Sequence, residues 1–424
     1  MGCCIGFGDF NRKYIYIILA VICKFTGQLI LGLSYSILKS LHPLSKELSS
    51  SSISYFTSNF ICSLILGCVG YKNSKKYQPN KLILIEGSLN ESSSFSSIKS
   101  NDFQDKSDKI NKILILVGFI FVFWEVSEQL FYSKGLVGLD FWMFEIIFLQ
   151  IFMSKYLKHK NMLHQKLSLY IIVIPSFFLR IISNGLKSKN VNGPKSVYEY
   201  IIDKYDTIWI ILFTILYLIM TGARAFGNTN IKYLMDILYV SPFKILIIYG
   251  SFGLIFSLLY IGFDLLFHKK YLGELNCFKK KTIKTLIFAL LYGIINSLKI
   301  LFDIFIIRDL SPFHLFAKYE IYYIMIQIIL LCHHFIDNFK TFYFVEISSD
   351  IICFFGVLIY LELIELRCCN LSFYLKKNII KRSTIESKTD VYKETEEGRE
   401  SIKILNDLDI IDTSETYERK DNLY

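Results

Sequence analysis

Charge is what this sequence has little of. Only 20% of its 424 residues are Asp, Glu, Lys or Arg, against 53% hydrophobic and 16% aromatic. A soluble domain carries nearer a quarter charged residues and is less apolar, so an ordinary soluble fold is excluded. Proline is rarer still, with 6 in the whole chain, while Ile, Phe, Tyr, Asn and Lys abound, which is the mark of an AT-rich genome. That bias inflates apolar counts everywhere, so length and flanking charge must support any span read from hydropathy. No G-x-x-x-x-G-K-[ST] phosphate loop occurs, which argues against an ATP-driven pump, and H-E-x-x-H is absent too. The 10 cysteines form no extracellular framework, and structural disulfides are not implied. The formal net charge of +10 belongs to loops and fits a membrane surface rather than nucleic acid. Neither a cofactor nor enzymatic activity is expected.

What the chain does have is long apolar runs. Ten candidate spans lie at Tyr14–Leu38, Ile53–Gly70, Ile113–Phe131, Leu139–Leu157, Leu167–Asn184, Ile208–Ala225, Phe243–Phe267, Ile283–Ile307, Pro312–His333 and Phe342–Leu366. Each is about the length a helix needs to cross a hydrocarbon core of roughly 30 Å. Helices satisfy their own backbone in lipid, and runs this continuous lack the alternation of barrel strands. The predicted fold is therefore all-α and polytopic. Two segments stand outside it: the Ser-rich, charged stretch Tyr71–Lys112, read as a flexible polar loop, and the tail Ser383–Tyr424, read as a disordered cytosolic tail.

The termini carry their own signals. Gly2, Cys3 and Cys4 in "MGCCIGFGD" suggest acylation, although the myristoylation pattern wants Ser or Thr where Gly6 stands. The last span gains Glu362 and Glu365 at its cytosolic end, then Cys368 and Cys369 at the membrane surface, a second place for S-acylation or for a plain thiol pair. A cleaved signal peptide is not expected, because the first span is too long and is interrupted by Lys24. Lysine and arginine place both ends in the cytoplasm: Arg12, Lys13, the second loop, Lys155 to Lys166, and Lys376 to Arg382 share one side. Lys279, Lys280 and Lys281 on the other side argue against that balance.

The chain also repeats. Divided near Lys187, each half holds five spans, and the third to fifth precede the eighth to tenth by about 170–176 residues. Five is odd, so a second copy of the unit inserts upside down. The expected organisation is a first repeat over residues 1–184, a connection at 185–207, a second repeat over 208–382 and the tail. Inverted repeats are a transporter architecture, with substrate held near the midplane between halves.

Three stretches carry a family resemblance: "NIKYLMDILYVSPFKILIIYGSFGLIFSLL", "LLYGIINSLKILFDIFIIRDLSPFHLFAKYE" with a Ser-Pro opening the ninth helix, and "FGVLIYLELIEL" followed by "LKKNIIKR". With the five-plus-five plan, they resemble the drug/metabolite transporter superfamily, in particular its EamA-like and solute-carrier-35-like branches. The resemblance covers most of Tyr14–Arg382. It implies alternating-access movement of a small polar or anionic metabolite across an intracellular membrane of the Golgi, endoplasmic reticulum or vacuole. Coupling to protons or to a counter-substrate is compatible with it, as is a homodimer.

Ionisable side chains deep in a span are costly and usually face a cavity or a partner. Candidates for substrate contact are Lys24 with Gln28 one turn on, then Glu125, Glu128 and Gln129 in "WEVSEQ", Glu145 with Gln150, and Asn296, Lys299 and Asp303 in "NSLKILFD". Two carboxylates three residues apart cannot both carry charge cheaply in lipid, which makes Glu125 and Glu128 candidates for proton exchange. Lys24 and Lys299 could hold an anion. The bland alternatives are that Lys299 and Asp303 neutralise each other within one helix, and that Arg180, Lys318 and Glu320 sit towards span ends. Gly27, Gly32, Gly222, Gly227, Gly250, Gly253 and Gly293 suit close helix packing. Other functional readings are a non-transporting receptor or scaffold acting through its tail and, more distantly, a lipid-modifying enzyme using His333 and His334.

Overall fold

In the computed structural model, residues 5–7, 12–41, 48–76, 98–133, 142–157, 163–188, 207–267, 270–334 and 341–366 are described. They form ten helices: α1 (Ile15–Leu41), α2 (Leu48–Lys76), α3 (Ile98–Ser133), α4 (Trp142–Leu157), α5 (Leu163–Ser188), α6 (Thr207–Asp236), α7 (Pro242–Phe267), α8 (Lys270–Asp309), α9 (His314–His334) and α10 (Thr341–Tyr360). A 3-10 turn at Arg12–Tyr14 precedes α1, and two short strands, β1 (Ile5–Phe7) and β2 (Ile364–Leu366), complete the inventory. Among the described residues three segments are long and apolar enough to cross a membrane: Arg12–Ser34, Pro242–Leu259 and Leu286–Asp309. Large apolar side chains face outward at helical spacing, for example Ile61, Ile65 and Val69 on α2 and Ile211, Ile215 and Ile219 on α6. Such apolar stripes suit contact with lipid.

Each expected span coincides with a helix, but several helices are longer than the apolar run that signals them. α3 starts at Ile98 and α2 continues to Lys76, so helix covers both ends of the segment read as a polar loop. Within that extension the Lys109 ammonium lies 5.6 Å from the Tyr233 ring centroid of α6. α8 likewise starts at Lys270 and takes in Lys279–Lys281. α6 runs on past Ala225 to Asp236, with Thr229 donating to the Ala225 carbonyl at 2.9 Å and Asn230 to that of Phe226 at 2.9 Å. These bonds to the i−4 carbonyl satisfy the two polar side chains inside the continuing helix.

The last span is the opposite case. Expected as helix to Leu366, it stops at Tyr360. The Leu363 N–H bonds to the Leu358 carbonyl at 2.9 Å and the Glu362 N–H to the Ile359 carbonyl at 3.0 Å, a Schellman termination in which Glu362 takes φ 57°. The chain then becomes β2 and pairs antiparallel with β1, Ile5 opposite Leu366, Gly6 opposite Glu365 and Phe7 opposite Ile364. Glu365 is therefore a buried strand residue, not a hydrated carboxylate on a helix end. β1, the first residues of α5 (Leu163–Ser168) and Leu358–Leu366 belong to one compact unit. Within it, buried His164 meets Glu362, Nε2 to Oε1 3.0 Å.

The larger unit holds the helical bundle. α2 lies along α7 and α8, α1 along α8 and α9, α3 along α6 and α7, and α4 along α6. Glycines set the closest approaches. A Cβ on Gly250 would stand 2.8 Å from the Phe60 carbonyl oxygen, and one on Gly67 would stand 2.9 Å from the Ile247 nitrogen, so α2 and α7 touch backbone to backbone. Gly27, by contrast, has ordinary contacts only, and Gly32 faces open space. Ser241-Pro242 opens α7 and Ser311-Pro312 precedes α9, a start that uses the pre-set φ of proline, and the Ser311 hydroxyl lies 2.8 Å from His314 Nδ1.

Lys232 of α6 closes the C-terminal end of α8. Its Nζ donates to the carbonyls of Arg308 at 2.8 Å and Leu310 at 3.2 Å and pairs with Asp236 at 3.1 Å. It thereby supplies donors to carbonyls that a helix end leaves without partners. Lys232→Met is expected to lower the unfolding free energy by about 1–2 kcal/mol, read as a lower detergent melting temperature. An unchanged melting temperature would show that this cap is dispensable.

Candidate functional site

α9 presents Tyr319, Tyr322 and Tyr323 at helical spacing towards α1. The Lys24 ammonium of α1 lies over all three rings, 4.5 Å from the Tyr319 centroid, 4.1 Å from that of Tyr322 and 5.4 Å from that of Tyr323. An ammonium this close to an aromatic face is attracted by the ring quadrupole, more so where water is excluded. The position expected to hold an ionisable group away from lipid does so, by aromatic faces. Gln28 does not join it and is exposed. Four residues turn a helix about 40° past a full turn, which carries Gln28 out of the groove against α9.

Lys318 precedes Tyr319 and is buried. Its Nζ donates to both oxygens of Asp303 on α8, at 2.6 and 2.7 Å, and lies 4.5 Å from the Tyr319 centroid. The expectation that Asp303 neutralises Lys299 within α8 is thus corrected, because α9 supplies the partner. Lys318 and Glu320, read as span-end groups, are both fully enclosed. Lys299 is half-buried one turn from Asp303, close enough to Lys318 to repel its charge, and among the described residues no carboxylate pairs with it.

A second pair lies between α4 and α6. Glu145 is 1% exposed, accepts from Asn228 Nδ2 at 3.0 Å and meets Arg224 Nη1 at 3.5 Å. The Arg224 guanidinium stacks over Trp124, 4.7 Å from its centroid, and lies 5.1 Å from that of Tyr319. Tyr319 therefore faces three cations: Lys24, Lys318 and Arg224. Two of these cations are held by carboxylates, Lys318 by Asp303 and Arg224 by Glu145.

A hydrogen-bonded chain crosses the neighbouring helices. Glu125 on α3 accepts from the Tyr249 hydroxyl of α7, and Asn59 Nδ2 of α2 donates to that same hydroxyl at 3.0 Å. Ser297 of α8 donates to the Gly293 carbonyl at 2.6 Å and lies 3.1 Å from the Asn59 carbonyl, while Ser63 donates to Ser297 at 3.0 Å. Next to it Asn296 is 6% exposed, and its Nδ2 has no hydrogen-bond partner among the described residues. Four helices are thus tied by groups that lipid could not satisfy.

Of the residues expected at the site, Lys24, Glu125, Glu145, Asn296, Lys299 and Asp303 all face protein. Gln150 is half-buried on α4. Glu128, Gln129 and Arg180 belong to helices, but their side chains lie outside the described residues, as do Gly2, Cys3, Cys4, Cys368 and Cys369. Sequence reasoning missed Arg224, Asn59, Tyr249 and the α9 tyrosines. Arg224 was passed over because it stands one residue before Ala225, where the sixth span was ended. The signal was there in "TGARAFGNTN", a polar run inside a continuing helix. Tyrosine spaced at i, i+3, i+4 gives no such signal, since aromatic stripes are common in any bundle. Among the described residues no group of His, Cys, Asp and Glu could hold a metal. Comparison of the chain with protein-family models and with curated proteins finds no match.

Proposed function

We propose that this chain is a ten-helix secondary transporter that moves a small polar or anionic metabolite by alternating access, across an intracellular membrane and with both termini cytosolic. The observation that carries this reading is Lys299. It lies within Leu286–Asp309, a segment apolar enough to cross a membrane, while the carboxylate one turn away is held by Lys318. An ammonium in that position needs an anion or a wet cavity, and a mobile anionic substrate supplies both.

The helix pairs support the inverted arrangement. With α1–α5 matched to α6–α10, the pair α1·α8 corresponds to α3·α6, α2·α8 to α3·α7 and α1·α9 to α4·α6, while α2·α7 corresponds to itself. Each of these pairs is present. Alternate crossing is supported by Tyr14 lying 6.3 Å from His314 and by Lys232 reaching Arg308 and Leu310, since these contacts gather the start of α1, the α6–α7 turn and the α8–α9 turn at one end. The cluster draws Lys24 and Tyr319 from the pair α1·α9 and Glu145 and Arg224 from the matched pair α4·α6, which supports a site between the halves.

The test is uptake by proteoliposomes screened with phosphorylated metabolites, carboxylates, nucleotide sugars and amino acids. Lys299→Met is expected to cut uptake of the responsive solute by at least about tenfold while expression and melting temperature stay near wild type. Undiminished uptake in that variant would remove Lys299 from the substrate path, whereas no uptake of any solute, with a phenotype confined to deletion of Ser383–Tyr424, would favour the scaffold reading.

A further inference from the structure

Two polar groups on one face of α8 are left unsatisfied by the protein. Asn296 is 6% exposed, and its Nδ2 has no hydrogen-bond partner among the described residues. Lys299 stands three residues on, half-buried, with no carboxylate pairing with it among those residues. Side chains at i and i+3 are neighbours on a helix, their Cβ atoms about 5–6 Å apart. This face is turned to protein. Tyr292, one turn before Asn296, meets the Tyr55 ring of α2 edge-on, with centroids 5.6 Å apart. A Cβ on Gly27 of α1 would stand 3.7 Å from Tyr292 and 3.9 Å from Ile295. The charge of Lys299 reaches Cys23 of α1 and Lys318 of α9. Asn296 and Lys299 thus line the α8 side of a groove bordered by α1 and α2. A buried amide without a hydrogen bond is costly, and so is an ammonium without a counter-charge. One needs an acceptor and the other an anion, and their adjacency lets one small molecule supply both.

We infer that the ligand carries an uncharged oxygen acceptor next to its anionic group, as a 2-oxo or 2-hydroxy acid does. The anionic group pairs with Lys299, and the neighbouring carbonyl or hydroxyl oxygen accepts from Asn296 Nδ2. Asn296 is then the residue that selects for this oxygen. An anion without it leaves Nδ2 enclosed and unsatisfied, which is how a buried polar group rejects an analogue. A hydroxylated phosphate ester offers the same pair of groups, and the test separates that source from a carboxylate. The inference rests on the transport reading in taking Lys299 as the partner of the anion, but its test measures binding alone.

The experiment titrates the full chain in detergent, by calorimetry, with matched anions. Pyruvate and lactate are set against propionate, and 2-hydroxyethyl phosphate against ethyl phosphate. The expected result is that, in one of the two series, the oxygen-bearing anion binds at least about tenfold tighter than its plain analogue. The series that shows the preference tells carboxylate from phosphate. The keto oxygen of pyruvate can only accept, so tighter binding of pyruvate marks the protein group as a donor. Asn296→Leu brings the oxygen-bearing anion to the level of its analogue, while the analogue changes by less than about twofold. Asn296→Ala does the same and covers the case in which the leucine variant fails to fold. Lys299→Met weakens both members of the pair. Equal binding within both series would assign Nδ2 to a buried water and overturn the inference. A preference that survives both Asn296 variants, or no anion binding at all, would overturn it too. A preferred anion that binds without entering proteoliposomes would sink the transport reading and leave this one standing. Uptake of an anion with no preference within either series would do the reverse.

Discussion

Gly250→Leu is expected to abolish folded protein, while Gly32→Leu leaves yield and melting temperature unchanged. The difference is backbone proximity. A side chain on Gly250 starts 2.7 Å from the Leu64 nitrogen and 2.8 Å from the Phe60 carbonyl oxygen. No rotamer escapes contacts with main-chain atoms, so α2 and α7 must move apart. Gly293 is in the same position on α8, where a Cβ would stand 2.8 Å from the Ser58 carbonyl oxygen. Because α2 is gripped from two sides, it cannot relax away from one neighbour without striking the other. Overpacking of this kind costs about 3 kcal/mol or more, a large share of the roughly 5–15 kcal/mol that holds a domain together. Separating α2 from α7 would also stretch the Asn59–Tyr249–Glu125 hydrogen bonds. The measurement is monodispersity and melting temperature of a fluorescently tagged chain after detergent extraction. Gly32 is the control because nothing lies within 4 Å of its would-be Cβ. A monodisperse Gly250→Leu protein with a wild-type melting temperature would show that α2 and α7 are not packed this closely.

The second large effect concerns Asp303 and Lys318. Removing one member of a buried ion pair leaves a charge without its partner, at a cost of about 3–5 kcal/mol. The two single variants should nonetheless differ. In Lys318→Met, Asp303 still has Lys299 four residues away on its own helix, a spacing that allows pairing. In Asp303→Asn, Lys318 stays enclosed with Lys299 and Arg224 as charged neighbours and its carboxylate gone. Asp303→Asn is therefore the more damaging, and Lys318→Met the milder by about 1 kcal/mol or more. The double change Asp303→Leu with Lys318→Met is expected to recover most of the stability, since apolar groups of similar volume often replace a buried pair without loss. A double variant as unstable as Asp303→Asn would mean that the pair organises α8 against α9 rather than merely neutralising charge. A Lys318→Met protein less stable than Asp303→Asn would remove the compensating role assigned to Lys299.

The α8–α9 pair also shows how a correct sequence signal can be assigned the wrong partner. Asn296, Lys299 and Asp303 were legible as a polar face because their spacing is helical and lipid would reject them. That Asp303 pairs with Lys318 rather than with Lys299 was not legible, because a side chain fifteen residues on is brought near only by the turn between α8 and α9. Arg224 was lost for a related reason. Hydropathy reports where a helix meets lipid, and α6 continues for eleven residues after its lipid-facing run has ended.

The sequence by itself determined the approximate positions of the ten described helices and several of the charged groups that face protein, because each long apolar run is legible separately. Only the tertiary structure decided where the helices stop: α3 and α8 run on as charged helix, and α10 breaks at Glu362 so that Ile364–Leu366 can pair with Ile5–Phe7. It also decided which of those groups meet. Lys24, Arg224 and Lys318 converge on the Tyr319 ring from three different helices. No spacing along the chain encodes that, since ion pairs and ring contacts form through space between segments whose approach is set by glycines and packing.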